Sequence, residues 1–195
     1  MGETICAICC GREREVTINC PVDCPYLLAA HRYEDEHRRE MPADTPLLDV
    51  TIPNDIVHTH QQLMTALAFA IAKFGASQPT ATDPDVLSAI EAFAETYKTL
   101  AAGIYYERQP AGPVARELYA ELTTLIQELK HKQAERGASS EMKDRDVFYL
   151  QVFLYRMGLL RTNGRPRSHR YIEFLRSQFP DAAELQRQES HIIVP

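Results

Sequence analysis

The chain has 195 residues and a formal net charge of −6, with 45% hydrophobic and 25% charged residues. These fractions are typical of a soluble globular protein and exclude a disordered or fibrous chain, and the length suffices for one good core with or without a small appended module. No run approaches the roughly 18 apolar residues of a membrane span, and the acidic balance argues against a generic nucleic-acid coat protein. Because no basic-then-apolar stretch opens the chain, we expect no signal peptide and a cytoplasmic protein.

The N-terminus is marked by its cysteines. All five lie within nineteen consecutive residues, at Cys6, Cys9, Cys10, Cys20 and Cys24. An odd number in a short cluster favours metal binding over a disulfide framework. The spacing Cys6-x2-Cys9 lets two thiolates reach one ion from a tight turn, and Cys20-x3-Cys24 supplies a second pair. We therefore predict Zn²⁺ bound by Cys6, Cys9, Cys20 and Cys24, with Cys10 as an alternative to Cys9. An iron–sulfur cluster also uses four thiolates and is the less favoured cofactor.

The stretch between the two cysteine pairs carries the clearest β pattern of the chain. Glu13–Asn19 alternates polar residues with Val16 and Ile18, which predicts a short β-hairpin. Pro25 then suits the first position of a helix. The sequence therefore predicts a hairpin followed by a helix, held by one metal ion.

A cysteine knuckle, a hairpin and a ligand pair at the start of a helix resemble treble-clef and zinc-ribbon modules. The resemblance covers roughly the first 40 residues and rests on the knuckle Cys6-Ala7-Ile8-Cys9-Cys10-Gly11 and on Cys20 and Cys24. It departs from the common form in placing Cys10 before the glycine and in the short gap between the pairs. It implies a structural zinc site that stabilises a segment too small for a core of its own.

A proline-rich stretch follows the cysteines. Met41 to Pro53 contains three prolines and is predicted to be an extended linker that packs along the surface. We place a boundary near residue 45, between a zinc-binding module (1–45) and a helical bundle domain (46–195).

The rest of the chain shows helical periodicity. Apolar stripes cover residues 55–74, 84–109, 114–136, 142–161 and 168–179. Gly75 is predicted to stop the first helix, Asp83 to cap the second and Ser168 to cap the last. The fourth is apolar nearly all round, which is typical of a helix buried in its bundle or shared with a partner. The predicted fold is mainly α, an up-and-down helical bundle with a small N-terminal zinc-bound β-hairpin plus helix.

A second feature is the arginine loop, residues 161–170. Residues 156–176 carry a formal charge of +5 against −11 for the rest of the chain. The loop contributes four candidate phosphate or nucleic-acid ligands, Arg161, Arg165, Arg167 and Arg170, because guanidinium groups bind phosphates through paired N–H donors. The N-terminus of the last helix would add backbone donors. The alternative is that these arginines pair with acids of other helices.

His60 is the remaining polar candidate. It falls within the apolar stripe of the first bundle helix and is predicted to be a buried polar site, more readily a hydrogen-bonded core histidine than a ligand. No Ser/His/Asp order, glycine-rich phosphate loop or HExxH motif is present. The sequence therefore gives little support to an enzyme.

These features lead to one functional hypothesis and two alternatives. The first is a non-enzymatic, zinc-binding module that presents the cysteines and the arginine loop to a partner, either protein or nucleic acid. The second is an enzyme acting on a phosphorylated substrate held by the arginine loop, with His60 or His169 as the acid/base. The third is a structural homo-oligomer joined through the fourth bundle helix. A cavity shared by His60 and the arginine loop would favour the enzyme.

Overall fold

The computed structural model describes residues 5–37, 44–135 and 142–179. Within these ranges the chain forms eight α-helices and no strand, so the prediction of a mainly α protein is confirmed. In chain order the helices are α1 (Ala7–Glu13), α2 (Pro25–Glu36), α3 (Ile56–Thr59), α4 (Gln61–Ser77), α5 (Asp83–Ala101), α6 (Pro113–Glu135), α7 (Asp144–Arg161) and α8 (Arg170–Ser177). None of the described helices is long and apolar enough to cross a membrane.

The four long helices and the short one predicted for the bundle correspond to α4–α8. Their pairing differs from a simple up-and-down bundle, in which each helix would pack chiefly on the next. Helix α5 packs most extensively on α7 and α6, whereas α4 packs on α8 and α6. The chain therefore closes its core by bringing α8 back onto α4.

Helix α7 lies within the core, in contact with α3, α5 and α8. Its side chains Val147, Leu150, Val152 and Leu154 are fully buried. Burial within one bundle thus accounts for the all-round apolar pattern, which was the reason to consider a homo-oligomer.

Several predicted helix bounds are wrong. The helix predicted over residues 55–74 is interrupted at His60, which separates α3 from α4, and the helix predicted over residues 84–109 ends at Ala101. Helix α4 does not stop at Gly75 but continues to Ser77. The Ile172 side chain of α8 occupies the space where a Cβ at Gly75 would lie. The glycine serves close helix packing instead of termination. At the next helix, Asp85 accepts from the Thr82 backbone N–H at 3.0 Å, so Thr82 is the N-cap and Asp83 is the first helical residue.

The hairpin predicted between the cysteine pairs is absent from the structure. Residues 7–13 are helical instead, and the N–H groups of residues 16–18 all approach the Glu13 carbonyl in a tight turn. An isolated two-stranded hairpin has little stability, and the two apolar residues of the predicted strand, Val16 and Ile18, are not buried. The prediction that Pro25 begins a helix is confirmed.

The described part of the linker packs on the bundle, as predicted. Leu47 is buried, and Arg156 of α7 donates from Nη2 to the carbonyls of Leu47 at 2.6 Å and Leu48 at 3.0 Å. The Arg156 guanidinium therefore holds the backbone of the linker against α7. Residues 41–43 of the linker, the end of the third bundle helix beyond 135 and the stop expected at Pro180 lie outside the described residues.

Gln151 is a polar residue in the centre of the core. It lies on α7, is fully buried, and neither its Nε2 nor its Oε1 has a hydrogen-bond partner. Gln151→Leu is expected to raise the free energy of unfolding by about 1–3 kcal/mol, because a buried amide without partners costs that much and leucine has a similar size. Urea unfolding measures the change.

The matched control for this substitution is Gln127→Leu, on the exposed surface of α6. Surface substitutions of this kind change stability by less than about 0.5 kcal/mol. Destabilisation by Gln151→Leu would show that the amide has a partner, such as a buried water, in solution.

Candidate binding surface at the cysteine segment

The cysteine segment, residues 5–37, begins with a thiol that caps a helix. Cys6 precedes α1, and its Sγ accepts from the backbone N–H of Cys9 at 3.3 Å. Cys24 occupies the corresponding position before α2, without a side-chain cap bond. Cys6 and Cys9 are exposed, whereas Cys10, Cys20 and Cys24 are half-buried, and all five are free thiols.

The two exposed thiols differ in acidity. The hydrogen bonds that Cys6 accepts from the Cys9 backbone and side chain lower the pKa of Cys6. The hydrogen bond to Cys6 raises the pKa of Cys9. Cys6 is thus the first of the pair to become a thiolate, the form that reacts and that binds metals.

The thiols have the donor chemistry of a zinc site. Cys6 and Cys9 both lie at the start of α1, joined by the hydrogen bond from the Cys9 backbone N–H to Cys6 Sγ. Within the described residues no group of three or more His, Cys, Asp or Glu side chains is arranged to hold an ion. The convergence of Cys20 and Cys24 with the first pair stays a prediction.

The arginine loop contacts the cysteine segment directly. Arg170 Nη2 lies 2.6 Å from Asp35 Oδ1, and its Nη1 lies 3.6 Å from Glu34 Oε2. Arg165 Nε lies 4.0 Å from Glu34 Oε1. The two features singled out by the sequence are therefore neighbours, and Arg165 and Arg170 pair with acids of α2.

The other two arginines of the loop face outward. Arg161 is exposed and stacks its guanidinium 4.0 Å from the centre of the Phe174 ring. Arg167 is also exposed; its backbone N–H donates to the Glu15 carbonyl at 2.9 Å, and its guanidinium has no partner among the described residues.

A second contact between the arginine loop and the cysteine segment is made by the buried carboxylate of Glu15. Glu15 is 3% exposed and has a positive φ of 53°. His31 Nε2 lies 3.1 Å and Asn163 Nδ2 lies 2.8 Å from its Oε2. No local pattern predicts this network, because Glu15 resembles any polar residue of an alternating stretch. Arg165 adds a hydrogen bond from its Nη1 to the Arg14 carbonyl.

The backbone donors expected at the start of the last helix are already used. Asp83 accepts from the N–H groups of Tyr171 at 3.1 Å and Ile172 at 3.2 Å. The prediction of Ser168 as the N-cap is wrong, because the N-cap is His169. The Ser168 hydroxyl donates to Asp83 at 2.7 Å and lies 3.5 Å from the Arg170 backbone N–H. Anion binding at the arginine loop must therefore rely on side chains.

His60 occupies a different part of the molecule. It lies between α3 and α4, and its side chain is 26% exposed, so it is only partly buried where a buried site was predicted. Its Nε2 lies 3.4 Å from Asp146 Oδ2. Asp146 stands near the start of α7, and the arginine loop begins at Arg161, fifteen residues on. At a rise of 1.5 Å per residue these points are about 22 Å apart, so His60 and the loop do not line one cavity.

The cysteine segment also carries much of the exposed apolar surface. It provides seven of the twelve exposed large hydrophobic side chains, although it holds only 33 of the 163 described residues. The seven are Ile5, Ile8, Val16, Val22, Tyr26, Leu28 and Tyr33. On α2 the inward face consists of Leu27, His31 and Glu34, at helical spacing. Tyr26 and Tyr33, 71% and 62% exposed, share the outer face.

The Glu15 network gives the docking of the segment a pH dependence. Burial opposes ionisation of Glu15, but hydrogen bonds from His31 and Asn163, with the charges of His31 and Arg165, outweigh it and lower the pKa of Glu15. A lowered folded-state pKa contributes stability that is present above the unfolded value, near 4.5, and lost as pH falls through the folded value. Glu15→Gln is expected to cost about 1–2 kcal/mol at pH 7.

Urea unfolding across a pH series measures this effect. The difference between the parent protein and Glu15→Gln should shrink as the pH falls below about 4.5. Glu36→Gln, at an exposed position of the same segment, is the control and should change stability little. A difference that grows as the pH falls below about 4.5 would contradict the assignment.

The surface thus combines five free thiols, exposed apolar side chains and a loop in which Arg165 and Arg170 pair with neighbouring acids. No protein-family model, curated protein or solved structure matches the chain. Its function is therefore inferred from its own residues.

Proposed function

We propose that this protein is a zinc-stabilised, non-enzymatic binding module whose cysteine segment holds a partner protein. The observation that supports this most directly is the outer face of α2, where Tyr26 and Tyr33 stand seven residues apart and largely exposed. Residues at that spacing lie on one side of a helix, two turns apart. An exposed pair of tyrosines on one helix face matches the way an amphipathic helix enters a groove of its partner.

The chemistry of this face favours protein over nucleic acid. Tyrosine is enriched among the residues that dominate the binding energy of protein interfaces. The cysteine segment has three arginines against six acids, and Arg165 and Arg170 of the adjoining loop are paired with carboxylates. A polyanion would be repelled, whereas a groove with an apolar floor and a basic rim would be complementary.

Zinc would give the segment its shape. Leu27 is the one hydrophobic residue buried in the described cysteine segment, so apolar burial there is small. A metal held by Cys6, Cys9, Cys20 and Cys24 would supply folding free energy in place of a core, as the resemblance to treble-clef and zinc-ribbon modules implies. Cys10 is the alternative ligand to Cys9. A cytoplasmic location fits these reduced thiols.

Metal analysis tests the first half of the proposal. Protein purified in metal-free buffer is expected to contain about one zinc per chain, as a four-thiolate site implies. Cys20→Ser with Cys24→Ser should abolish that content without unfolding α4–α8. Iron with acid-labile sulfide would identify a cluster instead, and absence of both metals would sink the metal site.

Partner capture tests the second half. The parent chain is cross-linked to its partners in a cell extract. The double substitution Tyr26→Ser with Tyr33→Ser is expected to abolish this cross-linking. Tyr105→Ser with Tyr106→Ser is the matched control, since these tyrosines are 74% and 64% exposed but lie outside the segment. Equal losses with both pairs would contradict a protein-binding α2 face.

The enzyme and the homo-oligomer gain no support from the described residues. His60 and the arginine loop are too far apart to act on one substrate, and α7 is buried in its own bundle. Size-exclusion chromatography should accordingly give a monomer, and a stable dimer would revive the third hypothesis.

A further inference from the structure

The Glu34 carboxylate is surrounded by donors of the arginine loop. Asn163 Nδ2 lies 3.2 Å and Arg170 Nη1 lies 3.6 Å from its Oε2. Arg165 Nε approaches the other oxygen at 4.0 Å. The next residue, Asp35, takes the second guanidinium nitrogen of Arg170 at 2.6 Å. Two adjacent carboxylates of α2 thus engage three side chains of one loop, and we call this pair the carboxylate latch.

The loop donors are the kind that bind phosphate. Guanidinium groups match carboxylate and phosphate oxygens with the same planar fork of N–H donors. An amide donor and two guanidinium groups around one position would accept a phosphate group as readily as the Glu34 carboxylate. Glu34 and Asp35 therefore stand where phosphoryl oxygens would bind.

Two of the loop donors, Asn163 and Arg165, are also held by contacts outside the latch. Asn163 Oδ1 accepts from the Arg165 backbone N–H at 3.1 Å, and its amide also reaches Glu15. The Arg165 guanidinium donates to the Arg14 carbonyl, and the Arg167 N–H donates to the Glu15 carbonyl at 2.9 Å. Three of these contacts are to residues 14 and 15, so Asn163 and Arg165 would stay in place if the acidic end of α2 moved away, and the Arg170 guanidinium would be freed.

The latch itself is weakly held. The side chains of Glu34 and Asp35 are 26% and 52% exposed, and ion pairs in contact with water contribute little to stability. Both acids lie in the last turn of α2 (Pro25–Glu36), where a negative charge opposes the helix dipole. A phosphate with more negative charge than one carboxylate can compete for the same donors.

We propose that the arginine loop is a phosphate-binding site that the carboxylate latch keeps occupied. Displacement of the acidic end of α2 exposes Asn163, Arg165 and Arg170 to a phosphate group, and a phosphate ligand in turn favours release of α2. The site is distinct from the Tyr26 and Tyr33 face and does not require that face to bind a protein.

Removal of the latch charges tests this inference in the full chain. Glu34→Gln with Asp35→Asn is compared with Asp23→Asn with Glu36→Gln, which removes two acids of the same segment that have no partner among the described residues. Fluorescence anisotropy with a labelled mixed-sequence single-stranded oligonucleotide at low salt gives the affinity. The latch variant is expected to bind about tenfold more tightly than the parent chain, a typical coupling between sites, and the control should gain much less.

Further substitutions and a second ligand show which residues are responsible for the gain in affinity. Adding Arg170→Gln to the latch variant should remove it, with a thermal melt to verify folding and Arg170→Lys as a less disruptive alternative. Calorimetry with inorganic pyrophosphate distinguishes a free phosphate ligand from a nucleic-acid backbone. Pyrophosphate that competes with the oligonucleotide identifies a site for phosphate groups in general. Binding of the oligonucleotide but not of pyrophosphate identifies a site for the nucleic-acid backbone. Equal gains in the latch variant and its control, or a gain that survives Arg170→Gln, would overturn the proposal.

Discussion

Asp83→Ala is expected to lower the free energy of unfolding by about 3 kcal/mol or more, because several buried donors lose a charged acceptor at once. The carboxylate of Asp83 is fully buried and accepts from the Ser168 hydroxyl and from the N–H groups of Tyr171 and Ile172. The Asp83 backbone N–H donates to the Ser168 carbonyl at 2.7 Å. One residue therefore ties the start of α5 to the start of α8, and its loss leaves donors that water cannot reach.

Two variants separate this network from a simple helix-capping effect. Asp85→Ala removes the acid that accepts from Thr82 at the same helix start, and should cost about 1 kcal/mol, as lost caps do. Asp83→Asn keeps one acceptor oxygen and the size of the side chain, so its cost should lie between the two. Thermal or urea unfolding gives all three values. A cost for Asp83→Ala no larger than that of Asp85→Ala would mean that the buried network is not a major source of stability.

This residue shows what local sequence can and cannot predict. Asp83 precedes a proline in a pattern typical of a helix start, and a helix does begin there. Its main contact is with a residue 85 positions later, which no local pattern encodes. Gly75 is a similar case, because glycine both ends helices and permits close packing, and the packing partner on α8 decides between them.

The cysteine segment was harder to predict than the bundle for a physical reason. Apolar stripes of many residues define α4–α8, and burial of those stripes determines the structure. The stretch around Val16 and Ile18 offers two apolar positions, too few to select a strand over a helix and a turn. The charge asymmetry of the sequence led to the alternative that the arginines pair with acids of other helices, and Arg165 and Arg170 do so. It did not indicate that Glu34 and Asp35 of α2 would be these acids.

The close contact between α7 and α8 at Gly158 makes a substitution there strongly destabilising. Gly158 is buried on α7, and a Cβ there would lie 2.7 Å from Leu87 Cδ2 and 2.8 Å from Tyr171 Cε1. The Tyr171 ring is fully buried and its hydroxyl donates to the Leu154 carbonyl at 2.9 Å, so it has no room to retreat. Gly158→Ala is expected to lower the free energy of unfolding by about 2 kcal/mol, since overpacking outweighs the gain in helix propensity.

The helix propensity of alanine can be measured separately in the same chain. Gly11 lies on α1 with nothing within 4 Å of the position of a Cβ, so Gly11→Ala should cause no loss of stability. Gly158→Ala in a Tyr171→Leu background should cost less than in the parent chain, because the ring that the methyl group meets is gone. An equal cost in both backgrounds would place the strain elsewhere, at Leu87 of α5. The expected coupling would show that the Tyr171 ring of α8 packs directly on Gly158 of α7, and that a side chain at position 158 is excluded by this contact.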